Sequence, residues 1–126
     1  MKYNILAIAD IHWGAMDPDE MYDNLQYFLD FIRMKGDIDL VVICGDYFDY
    51  RLTLNSKAAL KSLRWFDELY NTCKENGVKK LHLEVRMDNS TAINFYEDLG
   101  FEYEFSRKNY YGLIDAKIYG MNINEN

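Results

Sequence analysis

Two short segments carry side chains suited to chemistry, Asp10-Ile11-His12 and Gly45-Asp46-Tyr47-Phe48-Asp49. An aspartate and a histidine two positions apart in extended chain project to the same side. One strand would then offer a carboxylate oxygen and an imidazole nitrogen to a single ion. The glycine before Asp46 allows a sharp turn, which would bring that carboxylate beside the first pair. Mixed oxygen and imidazole donors suit manganese, iron or zinc better than calcium.

These segments need strands to present them. Tyr3 to Ala9 is a short apolar run that reads as a buried strand, and Ile38 to Cys44 reads as a second. Between them Asp17-Pro18 gives an N-cap followed by a residue tolerated at the first helical position. Met21, Leu25, Phe28, Leu29 and Ile32 follow at helical spacing, and Gly36 stops the helix. Asn55 or Ser56 caps a long second helix with an expected core stripe of Ala59, Leu63, Phe66, Tyr70 and Cys73, ended by Gly77. Lys80 to Arg86 is a third strand. Asn89 or Ser90 opens a shorter helix with Ala92, Phe95, Tyr96 and Leu99 on one face, closed by Gly100. Phe101 to Tyr111 and Ala116 to Ile123 read as an antiparallel pair around Gly112. The expected fold is a layered βαβαβαββ α/β domain, 1–126: a mostly parallel sheet with antiparallel C-terminal strands and helices on both faces. In open α/β sheets sites gather at the carboxyl ends of the strands, where both chemical segments fall.

The 126 residues suffice for one compact domain. Hydrophobic residues at 49% and aromatics at 16% exclude a disordered chain. A formal net charge of -7 disfavours a surface tracking phosphates, so no nucleic-acid partner is expected. Cys44 and Cys73 lack the paired spacing of a zinc site or disulfide framework and read as reduced core thiols. With no membrane span or cleavage pattern at the N-terminus, a cytoplasmic location is expected.

ADIHWG, Ala9 to Gly14, and GDYFD, Gly45 to Asp49, together resemble the calcineurin-like metallophosphoesterases, particularly their nuclease branch, over residues 1–79. The resemblance implies that Asp10 and His12 are first-metal ligands, that Asp46 is a metal-bridging carboxylate and that Asp49 supports them. That family completes two metal sites with an Asn-His after the third strand and with later histidines. Here the third strand ends in Arg86-Met87-Asp88-Asn89, and the chain holds only His12 and His82. His82, flanked by Leu81 and Leu83, reads as a packed or edge residue.

From about Glu75 the chain resembles GNAT-superfamily N-acetyltransferases, closest to the ribosomal-protein alanine acetyltransferase branch. LHLEVRMDNSTAINFYEDLGFE, Leu81 to Glu102, and RKNYY, Arg107 to Tyr111, carry the likeness. It implies Tyr96 as the general acid, Glu84 as the base acting on the amine, and Asn89 facing the CoA arm. Tyr96 also lies at core spacing and Glu84 is equally compatible with a solvated carboxylate. The glycine-rich pyrophosphate loop of that family is replaced by Arg51-Leu52-Thr53-Leu54-Asn55-Ser56-Lys57. The two halves meet at KENGVKK, which suits the helix-to-strand passage of both families. The reading is therefore a chimera or fusion, natural or engineered, without efficient catalysis. Divalent metal is the expected ligand, acetyl-CoA is not, and a homodimer is expected to cover an apolar face left by the missing halves. The alternatives are a metal-dependent phosphoesterase, in which Asp88 or Asn89 replaces a lost ligand, and an acetyl-CoA-binding remnant.

Overall fold

The structure is a computed structural model and describes residues 2–45, 47 and 56–124. Eight elements follow the expected order: β1 Ile5–Ala9, α1 Pro18–Lys35, β2 Leu40–Cys44, α2 Lys57–Glu75, β3 Lys80–Arg86, α3 Ser90–Asp98, β4 Glu102–Tyr111 and β5 Ile114–Asn122. They form one five-stranded sheet in the order β1-β2-β3-β5-β4. The first three strands are parallel, with Ile5 opposite Leu40 and Leu40 opposite Lys80, while β5 runs antiparallel to both β3 and β4.

Local chemistry sets the helix ends. The Asp17 carboxylate accepts from Glu20 N at 3.0 Å, and Pro18 occupies the first turn, where its missing N–H costs no intrahelical bond. Gly36 closes α1 at φ 72, a left-handed conformation open to glycine. Ser56 Oγ accepts from Ala59 N at 3.1 Å and Asn89 Oδ1 accepts from Ala92 N at 3.1 Å, fixing the starts of α2 and α3.

The sheet and its strand directions are as expected, but all three helices lie on one face. Right-handed crossovers that step in one direction across parallel strands deliver their helices to the same side. The core accordingly draws on one parity of each strand, Leu6 and Ile8, Val41 and Ile43, Leu81, Leu83 and Val85, and Tyr119. It draws as well on Leu29 and Ile32 of α1, Trp65, Phe66 and Leu69 of α2, and Tyr96 of α3. The opposite face is bare over β1, where Ile5 is 61% exposed and Ala7 and Ala9 are exposed, and half-buried over β2 at Leu40, Val42 and Cys44. Over β3 it turns polar, with Lys80, His82, Glu84 and Arg86.

The stripe on α2 also differs. Its buried residues are Ala58, Ala59, Ser62, Trp65, Phe66, Leu69, Thr72 and Cys73, whereas Leu63 and Tyr70 lie outside the core. Both α1 and the sheet press on α2, so the buried arc turns toward α1, where Trp65 Nε1 donates to Leu25 O at 3.3 Å and Arg33 reaches Thr72 Oγ1 at 3.2 Å. No helix among the described residues is long and apolar enough to cross a membrane.

Candidate functional site at the carboxyl end of the sheet

β1 ends at Ala9, so Asp10 and His12 are not extended. Both take left-handed backbone, at φ 55 and φ 51. Side chains rarely adopt this region, and such residues concentrate where surrounding contacts hold them. The holding contacts are Ile11 and Trp13, buried on the core side, together with Asp10 N donating to Cys44 O at 3.1 Å and Trp13 N donating to Tyr47 O at 2.8 Å. The loop after β1 is thereby stitched to the end of β2. His12 Nε2 comes to 3.7 Å from Asp10 Oδ1, and both side chains face solvent. The expected pair is brought together, by two backbone reversals rather than by strand geometry.

Gly45 makes room for it. At φ 72 it is left-handed itself, and a Cβ there would stand 2.5 Å from Asp10 Oδ1. Only a bare backbone lets the Asp10 carboxylate lean over the end of β2. Asp46 and Asp49 lie outside the described residues, as do residues 51–55 of the expected cofactor-loop position. Among the described residues no group of three or more His, Cys, Asp or Glu side chains is gathered as a metal shell. Asp10 and His12 bring one carboxylate oxygen and one imidazole nitrogen to 3.7 Å of each other.

On the neighbouring strands, Glu84 is buried on β3 opposite Ile118 of β5, and accepts at 3.1 Å from Arg107 of β4, which stands opposite Ala116. The Arg107 guanidinium also lies 4.3 Å from the Tyr110 ring centroid. The charge of Glu84 is the main influence raising the Tyr110 phenol, with a hydrogen bond to Glu84 and burial adding to it. Burial, then Glu84, pushes the Cys44 thiol up; Arg107 opposes this and Asp10 adds a smaller upward push. Cys44 therefore sits within the fields of Asp10 and Glu84, the thiol staying protonated and poorly nucleophilic at neutral pH. Both described cysteines are free.

The acetyltransferase-like residues do not converge. Glu84 alternates with the core residues Leu83 and Val85, so it faces away from the helices. Tyr96 lies among the helices, with ring centroids 6.5 Å from Tyr47 and 6.1 Å from Phe101. Asn89 is engaged as the cap of α3. Asp88 is held by Arg86 through contacts of 3.1 and 3.2 Å, which lower its carboxyl. His82 is neither a core histidine nor part of the loop site: its Nε2 lies 2.8 Å from Glu104 Oε2, on the polar sheet face. Lys80 also reaches Glu104, and Gly120 leaves the space, since a Cβ there would be 1.9 Å from Glu104 Oε2. Sequence reading missed Arg107 and Tyr110 as the partners of Glu84. The signal was there in RKNYY, whose register over β5 was not.

Comparison with known proteins finds both likenesses. Residues 3–83 match the family described as calcineurin-like phosphoesterase. The rest carries likeness to GNAT N-acetyltransferases. The [ribosomal protein bS18]-alanine N-acetyltransferase of Escherichia coli is 41% identical over 69 residues, covering 55% of this chain and 43% of that protein. N-alpha-acetyltransferase 50 of Danio rerio is 32% identical over 71 residues, 52% of this chain and 42% of that one. The chain thus spans less than half the length of these curated relatives. Among solved structures, the Escherichia coli ribosomal-protein-S18-alanine N-acetyltransferase superposes with a TM-score of 0.50 at 33% identity, covering 56% of this chain and 48% of that one. Ard1 from Thermoplasma volcanium gives 0.56 at 27% identity, over 69% of this chain and 57% of the other. The chimeric description fits these matches.

Proposed function

The chain belongs to the calcineurin-like phosphoesterase family through residues 3–83, and from that premise we propose that it is a hybrid domain holding one divalent cation at Asp10 and His12, without efficient turnover of phosphodiesters or acetyl-CoA. The observation that carries this reading is the Asp10 and His12 pair, 3.7 Å apart, with the Asp10 carboxylate in the space that a side chain at Gly45 would fill. The resemblance of GDYFD, Gly45 to Asp49, to that family implies Asp46 as a third donor. A bound divalent ion would supply Lewis acidity toward a phosphoryl oxygen or water. This chain's part is to hold Asp10 and His12 in conformations they would not adopt unaided.

The case against full catalysis is a shortage of donors. A two-metal mechanism needs a second ion about 3.5–4 Å from the first. Of the chain's 2 histidines, His82 is committed to Glu104, and Asp88 and Asn89 are committed to Arg86 and to the start of α3. The test is a manganese titration followed by electron paramagnetic resonance. One ion per chain is expected, weakened at least tenfold, about 1.4 kcal/mol, in Asp10→Asn and in His12→Gln. Binding unaltered in both variants would remove the proposal. In parallel, manganese-dependent hydrolysis of bis-p-nitrophenyl phosphate that disappears in Asp46→Asn would establish an active phosphoesterase instead.

A second reading, an acetyl-CoA-binding remnant, draws on the buried Glu84 beside Arg107 and Tyr110 and on the acetyltransferase relatives. It ranks lower because acid and base must address one carbonyl, while Glu84 and Tyr96 stand on opposite faces of the sheet. A thermal shift by acetyl-CoA that Asn89→Ala abolishes would support it; no shift at millimolar cofactor would eliminate it.

A further inference from the structure

The two edges of the sheet are built differently. β4 carries Glu102, Glu104, Arg107 and Lys108, and its register is interrupted between Tyr103 and Phe105 and again between Arg107 and Tyr111. Charges and bulges of this kind keep an edge from pairing with another chain. β1, Ile5-Leu6-Ala7-Ile8-Ala9, is regular and has neither charge nor proline. Asn4 O accepts from Leu40 N and Asp10 N donates to Cys44 O, so the even-numbered residues bond inward to β2. Alternation then leaves the N–H and C=O groups of Ile5, Ala7 and Ala9 pointing out along the free edge.

The same flank carries a second feature. Along α1, Asp19, Tyr22, Gln26 and Arg33 reach α2, through Lys57, Glu68 and Thr72. Tyr27, Phe31 and Met34 recur at helical spacing on the side away from these contacts, exposed by 77%, 43% and 80%. As the outermost helix at the β1 end, α1 turns this apolar stripe toward the bare edge.

We propose that two copies of this chain pair antiparallel through β1, continuing the sheet across a two-fold axis at Leu6 and bringing the two α1 stripes together. The occupant is a second copy because the edge complements itself. With Leu6 opposite Leu6 of the second copy, Ile5 faces Ala7 and Tyr3 faces Ala9, large against small on the open sheet face. These odd-numbered pairs are the ones whose outward backbone groups can exchange hydrogen bonds. Running α1 against its copy also brings Glu20, in the acidic first turn, toward Lys35 in the basic last turn. Strand pairing alone is marginal in water, and the helix stripe adds the apolar area that makes such an interface stable.

Sedimentation velocity across the micromolar range tests this. The expected species has twice the 15.0 kDa mass of the chain. Ala7→Lys places a charge on the edge at an exposed position, and Phe31→Glu does so on the stripe; each is expected to weaken association by roughly tenfold or more, with unchanged circular dichroism. Phe105→Lys, at the β4 end, is expected to leave the dimer intact. Hydrogen exchange at Ile5, Ala7 and Ala9 should slow as the concentration rises. A wild type that stays monomeric, a dimer that survives both Ala7→Lys and Phe31→Glu, or one broken by Phe105→Lys would overturn the proposal.

Discussion

Gly45→Ala separates the two things that Gly45 does. The first is conformational: at φ 72 a Cβ costs about 1–2 kcal/mol by crowding the backbone. Gly36 has the same φ of 72 with nothing within 4 Å of a built Cβ, so Gly36→Ala carries the backbone cost alone. The second is steric. The new methyl at position 45 would stand 2.5 Å from Asp10 Oδ1, a contact that Asp10 relieves by rotating its carboxylate away. Because a solvent-facing carboxylate turns cheaply, the two alanine variants should lose similar stability in urea, within about 1 kcal/mol of each other. Their metal affinities should diverge. Gly36→Ala should bind manganese like the wild type, whereas Gly45→Ala, with Asp10 displaced from His12, should bind at least tenfold more weakly, about 1.4 kcal/mol. Equal manganese affinity in the two variants, measured by titration under conditions where both are folded, would refute the idea that Gly45 exists to admit Asp10.

Three other outcomes follow from the buried polar groups. Arg107→Ala takes the guanidinium from the buried Glu84 carboxylate while leaving its hydrogen bond to Tyr110, and should cost about 1–3 kcal/mol in urea unfolding, more than Glu84→Gln, which leaves a half-exposed guanidinium able to find water; a larger loss from Glu84→Gln would contradict the assigned burial. Burial pushes the Cys73 thiol from 9.0 up to about 12. Above pH 9 the unfolded chain then releases a proton that the folded one retains, so stability should fall with rising pH between 9 and about 12, by up to about 1.4 kcal/mol per pH unit, and Cys73→Ala should flatten that slope. Burial is the main cause lowering His82, with Glu104 opposing it; Glu104→Gln should lower the histidine further in an NMR titration, and an upward movement would refute the pairing.

Elements marked by local chemistry were legible from residue order alone. Asp17-Pro18, Gly36, Ser56 and Asn89 set helix ends because each cap depends on neighbours within a few positions. The parallel strands were legible from their apolar runs, although β1 and β2 each begin two residues later than those runs do. What depended on distant contacts was not legible. The buried arc of α2 could not be placed without α1, since Ser62 and Thr72 look like surface residues until Tyr47 and Arg33 reach them. The left-handed turns at Asp10 and His12 have no glycine to announce them. The link from Glu84 to Arg107 spans 23 positions and needs the β4 register over β5.

A manganese-soaked crystal tests the central claim most directly, through anomalous difference density. The account predicts one peak within coordination distance of both Asp10 and His12. An absent peak there, or two peaks separated by about 3.5–4 Å as in a working binuclear centre, would contradict it.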